Sequence, residues 1–318
     1  MTNTQTSDIV RDVVIIGGGA AGLSAALVLA RARREVTVVD AGQLRNAPAA
    51  AAHGLLGNEG ISPLELVARG RREAQQYGAQ ILKAQVATAH PVGDDYLITL
   101  DDGRELRAGQ LIIASGVRDV LPDIDGLADR WGRDVVHCPY CHGWEIRDRR
   151  LGIIATSATS AYQAILFHQW SRDVTLFSDG VEFDQEALDT LAAVGIPLID
   201  EQVTAVEVTD DDISGLCLAD GRTVPVEALG VSSGMRANLD GLEALGLETE
   251  TNPQGTFLRA DDTGHTNVPG VWATGNVMDP DLQVSECISH GARVAVTINN
   301  GRIFGDAEAA LAAARHKA

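Results

Sequence analysis

The chain has 318 residues, 45% hydrophobic and 22% charged, which is enough for two domains with cores of their own. Its net charge of −19 argues against nucleic acid or an anionic membrane as partner, since both need positive patches. The polar Met1–Arg11 stretch has no basic start followed by an apolar core, and no apolar run nears the roughly 18 residues of a spanning helix, so the expectation is a cytoplasmic protein.

In chain order, Asp12–Ile16 (DVVII) is a β-branched run leading into glycines and reads as a buried parallel strand. Ala20–Ala32 is composed of helix formers, and Val36–Val39 forms a second buried strand that ends at Asp40. Together these make one βαβ unit. Residues 60–78 read as a helix. Ala84–Leu106 alternates apolar and polar around Asp101-Asp-Gly, the pattern of antiparallel strands with a hairpin turn, and Leu111-Ile-Ile-Ala-Ser-Gly closes the segment as another buried strand. The layout then repeats: a Leu151–Ala155 strand, an Ala158–Trp170 helix, an Asp173–Phe177 strand, and paired strands over Val203–Leu218 turned at Asp210-Asp-Asp. Val271-Trp-Ala-Thr-Gly is a last strand and Val284–Asn299 a last helix. The expectation is an α/β protein with two Rossmann-like, three-layer ββα nucleotide-binding domains.

Gly17-Gly-Gly-Ala-Ala-Gly22 follows the first strand and opens the first helix, which gives G-x-G-x-x-G at Gly17, Gly19 and Gly22. The glycines allow the tight turn, the approach of a pyrophosphate and close helix–strand packing, and the helix N-terminus faces the phosphates. Asp40 ends the second strand, where an acid hydrogen-bonds ribose hydroxyls. Strand, glycines, helix and acid stand in register for a dinucleotide.

Cys138-Pro-Tyr-Cys141 stands out from the isolated Cys217 and Cys287. Four readings are open to it. Two buried free thiols are the plainest. A structural zinc site needs four ligands and has no second pair here. C-x-x-C-H, completed by His142, is also the c-type haem attachment pattern, which requires export. A redox dithiol suits the close spacing and a reducing compartment best. Histidines at 137 and 142 flank the pair. His142 is the candidate to move the proton that thiol–disulfide chemistry releases, against the alternative of a surface or cap histidine. Thr274-Gly275-Asn276 ends a strand and leads through Gln283 into the last helix, where Glu286 and His290 lie four apart, as an acid–base couple or as a solvated ion pair.

These motifs together resemble the low-molecular-weight thioredoxin reductase family over essentially the whole chain: GGGAAGLSAA at the start, IIASG at 112–116, CPYCHGWE at 138–145 and VWATGNVMDP at 271–280. The resemblance implies a homodimer, with an FAD domain of residues 1–117 and 238–318 and an inserted pyridine-nucleotide-type domain of 118–237 that carries the disulfide. Gly17, Gly19, Gly22 and Asp40 would hold the adenosine diphosphate part of FAD. Gly275, Asn276 and Gln283 would lie along its ribityl chain and flavin.

The chain departs from the family pattern in three places. The second glycine motif falls at Ile154-Ala-Thr-Ser-Ala-Thr-Ser-Ala161 and has lost every glycine. The basic cluster that pairs with the NADPH 2′-phosphate is Ser178-Asp-Gly180. The acid expected just after the disulfide is His142, and the Asp of the flavin motif is Asn276. The first two argue against NADPH. The chain is therefore similar to the thioredoxin-reductase-like dithiol oxidases: a dithiol would reduce Cys138–Cys141, the pair would reduce FAD, and oxygen would reoxidise it. In that analogy Cys138 meets the substrate, a small molecule or a thioredoxin-like protein, and Cys141 faces the flavin. His142 moves the proton, assisted by His290 or Glu286. The alternatives are a disulfide reductase fed by NADPH or another donor, and a non-enzymic flavin redox sensor.

Overall fold

The structure is a computed structural model that describes residues 9–317, so most of the Met1–Arg11 stretch lies outside the described residues. Among the described residues no helix is long and apolar enough to cross a membrane. The chain divides into two compact units. The first contains the chain up to Arg45, then Pro63–Arg118, then the chain from Met235 onward; the second contains Asn46–Ser62 and Asp119–Gly234.

In the first unit five parallel strands lie in the order Val271–Ala273, Leu111–Ile113, Val13–Ile16, Val36–Asp40, Gln80–Lys83. Successive side chains leave a strand on opposite faces. Val14, Ile16, Leu111 and Ile113 therefore pack on an antiparallel sheet through Ala89, Tyr96 and Ile98. Val13, Ile15, Val38 and Ile112 pack on two helices, Ala20–Arg31 and Val284–Lys317, through Ala25, Leu29, Val294 and Ile298. Each such side chain contributes roughly 1.5–3 kcal/mol by leaving water. With both faces covered, the strands show no polar alternation in sequence.

The second unit repeats the plan. Its parallel strands run Val135–Val136, Ala228–Val231, Leu151–Ile154, Val174–Phe177, Leu198–Ile199. Ile154, Phe177, Leu229 and Val231 face the hairpin Val203–Thr209 and Asp212–Leu218. Ile153 and Leu176 face the Ser160–Phe167 helix through Ala161, Ala164 and Phe167. The protein is thus two Rossmann-like ββα sandwiches, the second inserted between parts of the first.

Several elements differ from expectation. The helix of the second unit begins at Ser160 and ends at Phe167, shorter than Ala158–Trp170. The last helix runs to Lys317 instead of stopping at Asn299, because residues 306–315 are almost all Ala, Glu, Leu and Arg, strong helix formers that carry it past Gly301 and Gly305. A helix at Gln185–Val194 was not read from the sequence; Asp184 caps it by accepting from Ala187 N, and Gly195 ends it in the left-handed conformation. The largest difference is at 46–62, expected within the 1–117 part of the first domain. Its side chains Ala49, Ala52, Leu55 and Ile61 are buried, Pro48 abuts Gly132, and the segment packs with the second unit.

Candidate active site

The glycine motif of the first unit is dictated by contact. Gly17 has φ +113°, and a Cβ there would lie 2.2 Å from the Ala114 carbonyl oxygen; a Cβ on Gly22 would lie 2.1 Å from the Gly17 oxygen. Gly19 differs, since a Cβ on it would meet nothing within 4 Å. Gly17 and Gly22 make the turn, and Gly19 leaves a cradle open above it. Gly19 is also the N-cap of the Ala20–Arg31 helix, and no side chain caps that end, so its N–H groups face outward for an anion.

Asp40 sits beside this turn, where a Cβ on Gly18 would lie 2.5 Å from its carboxyl group. It accepts from Gly42 N at 2.9 Å and pairs with Arg71 of the Pro63–Gln76 helix. Arg71 Nε is buried and has no partner among the described residues. An open cradle, uncapped N–H groups, a ribose-type acid and an orphaned guanidinium N–H fit an adenosine diphosphate group. Arg71 escaped the sequence reading, since only the fold brings it to an aspartate 31 residues earlier.

The other chain end comes to the same turn. Gly291 lets the last helix lie against the first, because a Cβ there would stand 2.2 Å from the Ala21 oxygen, and Ser24 Oγ donates to Ile288 O at 2.7 Å. Gly275, at φ +76°, passes just over Ala21. Asn276, expected along the ribityl chain, spends its amide nitrogen on its own loop: Nδ2 is shared among the carbonyls of Asp279, Pro280 and Leu282 at 3.0, 3.2 and 2.9 Å. Its Oδ1 faces the Cys287 thiol at 3.9 Å. Burial pushes that thiol up to about 11, so Cys287 stays protonated and inert. An aspartate at 276 would set oxygen against three carbonyl oxygens. Asn276→Asp is therefore expected to lower stability by about 1–3 kcal/mol, read by urea unfolding of the FAD-loaded protein.

Glu286 and His290 have separate partners. Glu286 reaches back to accept from Gln283 N at 2.7 Å, which places Gln283 at the helix entry and Glu286 as the reciprocal cap. His290 Nδ1 bonds Thr274 Oγ1 at 2.8 Å and the ring also bonds the Asp262 backbone, with burial pushing its pKa below the ordinary histidine value. Among the described residues no contact joins the two, either as an acid–base couple or as an ion pair.

In the second unit Cys138 ends an extended segment and Pro139–His142 forms one helical turn. The sulfurs of Cys138 and Cys141 stand 2.6 Å apart, both half-buried. Gly143 is required next, for a Cβ would strike the Pro139 oxygen at 2.4 Å and the Trp170 ring at 2.7 Å. Tyr140, exposed, packs edge-on against Trp170 with centroids 5.4 Å apart. His137 is held on both sides of the chain: its carbonyl accepts from Gln163 Nε2 at 2.9 Å and its Nδ1 from Ser233 N at 3.3 Å. While neutral it therefore carries its proton on Nε2. His142, like His137, is half-buried. Its Nε2 is enclosed without a partner among the described residues, and burial lowers its pKa, with Glu145 acting the other way. A ring kept neutral at pH 7 can accept a thiol proton.

In the turn after Ile154, at the place of the second glycine motif, side chains bond the backbone and one another. Ser160, at the place of the third glycine, accepts the Thr156 N–H at 3.1 Å; Thr156 Oγ1 donates to Ser232 O at 2.8 Å; Ser157 and Thr159 hydroxyls bond each other at 2.8 Å. Beyond the next strand Ser178 Oγ donates to Asp200 at 2.5 Å, and Asp179 accepts from Val203 N at 2.9 Å.

Comparison with known proteins agrees with this architecture. Residues 11–300 match the family described as pyridine nucleotide-disulphide oxidoreductase. The chain is 31% identical to the thioredoxin reductase sirT of Leptosphaeria maculans over 306 residues, covering 91% of this chain and 93% of that protein. It is 31% identical to the thioredoxin reductase tcpT of Claviceps purpurea (strain 20.1), covering 86% and 88%. Among solved structures it is similar to HlmI, with 40% identity, TM-score 0.92 and coverage of 99% of this chain and 100% of that one. An oxidoreductase from Agrobacterium tumefaciens follows with 36% identity, TM-score 0.87 and coverage of 93% and 99%.

Proposed function

Because this chain belongs to the pyridine nucleotide-disulphide oxidoreductase family, as an FAD-dependent disulfide oxidoreductase of the thioredoxin reductase-like branch, we propose that it works as a dithiol oxidase. The observation that carries the reading is the Ile154–Ala161 turn. A pyrophosphate would need the backbone N–H groups that such a turn offers, and here Ser160 already holds the Thr156 N–H. Asp179 adds a negative charge where an NADPH 2′-phosphate would need a cation. These residues do not fit NADPH, and no step is assigned to it.

In the proposed cycle a substrate thiol gives its proton to His142 and its sulfur attacks Cys138 Sγ of the oxidised pair. The Cys138–Cys141 bond breaks, and Cys141 leaves as a thiolate that takes a proton from His142. The substrate's second thiol then displaces Cys138 and its proton passes to the departing sulfur, which closes the substrate disulfide and leaves both electrons on the pair. Bound FAD supplies the two-electron acceptor that returns the pair to the disulfide, with oxygen as final acceptor and hydrogen peroxide as product. The chain's part is to place the two sulfurs, hold the proton at His142, and keep Gly19 clear for the cofactor. The exposed Tyr140 beside the pair offers an apolar landing for a substrate.

The similarity to proteins named thioredoxin reductases favours the second reading, a thioredoxin-type disulfide reductase. Aerobic incubation of the FAD-loaded protein with dithiothreitol separates the two. Sustained oxygen uptake with hydrogen peroxide formed one for one is expected; no uptake with any dithiol tested overturns the oxidase reading.

A further inference from the structure

The Pro63–Gln76 helix carries Arg69, Arg71 and Arg72, and they do not share one fate. Glu65 of the same helix takes Arg69 at 2.9 Å and Arg72 at 3.3 Å. Arg71 reaches Asp40 instead, at the end of the Val36–Asp40 strand. The Asp40 side chain is only 12% exposed, and each of its oxygens takes one bond: Oδ1 accepts from Gly42 N and Oδ2 from the Arg71 guanidinium. In making that contact Arg71 leaves its Nε enclosed with no partner among the described residues. An enclosed N–H without a partner is unfavourable, so the guanidinium is held there by its charge partner and not by a full set of hydrogen bonds.

A carboxylate beside a phosphate-binding turn acts in two opposed ways. Its lone pairs suit ribose hydroxyls, but its charge repels the diphosphate that comes to the same turn. In a chain of net charge −19 that repulsion has no general positive background to offset it. We propose that Arg71 is a positioning residue for the adenosine diphosphate half of FAD, and that it acts through Asp40. It cancels the charge of Asp40 and fixes the plane of its carboxyl group. A carboxylate offers about four lone-pair sites, and Gly42 N and Arg71 use one on each oxygen, which leaves one on each for the two hydroxyls of a ribose. Lys83 lies opposite Asp40 in the sheet register, but it is exposed and makes no bond to the carboxyl group among the described residues. The cancelling charge is therefore that of Arg71.

This inference rests on FAD occupying the Gly17–Gly22 turn, and it holds for either direction of electron flow. The test is the affinity of the full chain, freed of flavin, for FAD by flavin fluorescence and for adenosine diphosphate alone by calorimetry. Arg71→Met is expected to weaken both about 30-fold, and high salt to recover about threefold of that loss by screening the uncovered carboxylate. Arg71→Lys, which keeps a cation on a flexible stem, is expected to lose only about threefold. In an Asp40→Asn background the same Arg71→Met change is expected to alter affinity less than about twofold, because no charge remains to be cancelled. Arg71→Lys and the two Asp40→Asn proteins leave no uncompensated carboxylate, so they remain measurable where Arg71→Met alone folds poorly. A loss of about tenfold or more from Arg71→Met in the Asp40→Asn background, or equal losses in Arg71→Met and Arg71→Lys without a response to salt, overturns the action through Asp40. Wild-type affinity for both ligands in Arg71→Met, beside weak binding in Gly19→Val, overturns the role of Arg71 alone. Wild-type affinity in Gly19→Val as well overturns the placement of FAD, and the role of Arg71 with it.

Discussion

Cys138→Ser is expected to lower dithiol-driven oxygen uptake on the order of 10³-fold or more while flavin content stays at the wild-type level. The magnitude follows from removing a nucleophile that acts as one unit with its partner: without Cys138 there is no disulfide to attack, whatever else is intact. Cys141→Ser is expected to be as inactive, since the proposed cycle needs both sulfurs. The two side chains meet within one turn of helix, and serine is close to cysteine in size, so neither change disturbs the fold. Oxygen electrode rates normalised to bound flavin check this. Residual activity above a few per cent in Cys138→Ser would move the chemistry away from the pair.

The second large effect concerns the cradle, where two glycines only two residues apart are expected to fail differently. Gly17→Ala places a Cβ on the Ala114 carbonyl in a left-handed conformation. Strain and overpacking together cost about 2–4 kcal/mol, so the apoprotein itself loses stability. Gly19→Val puts its side chain into open space, so the apoprotein is expected to melt within about a degree of wild type. Its FAD affinity should nevertheless fall about 100-fold or more, because the side chain fills the space the pyrophosphate needs. Urea unfolding of the apoproteins, with FAD titration by flavin fluorescence, separates the two. Wild-type FAD affinity in Gly19→Val would remove the cradle from the account.

These contrasts show which parts of the molecule are written locally. Val13–Ile16, Gly17–Gly22 and Asp40 were legible because a buried parallel strand, a left-handed turn and a close helix each demand a residue type within a few positions. The Asp210–Asp211 turn was legible for the same reason: both residues have positive φ, and short polar side chains tolerate that. The cysteine pair announced itself by spacing.

Other features depend on contacts made at long range. Arg71 lies on a helix whose pattern gives no sign that one arginine meets Asp40. His53 sits in an alanine-rich stretch without periodicity, and only its packing with the second unit brings it to Glu145. Glu286 and His290 share a helix face in the sequence, yet Glu286 is drawn to the open Gln283 N–H and His290 to Thr274. A capping bond of this kind contributes about 1 kcal/mol, more than the 0.2–0.5 kcal/mol of an exposed i,i+4 pair, so the cap wins. Asn276 was read for its amide and acts through it, but on the loop at 279–282. The departures at Ala155, Ser157 and Asp179 were visible as missing glycines and a misplaced acid. Only the structure adds that Ser160 holds the Thr156 N–H and that Asp179 caps Val203.

The central claim is that electrons enter through Cys138–Cys141 and not through a nicotinamide. Anaerobic titration of the oxidised, FAD-loaded protein tests it most directly, with the visible flavin band as readout and NADPH and dithiothreitol as separate titrants. The account predicts that dithiothreitol bleaches the flavin in the wild type and fails to do so in Cys138→Ser, while NADPH leaves the wild-type flavin oxidised. Rapid bleaching of the wild type by NADPH would contradict it.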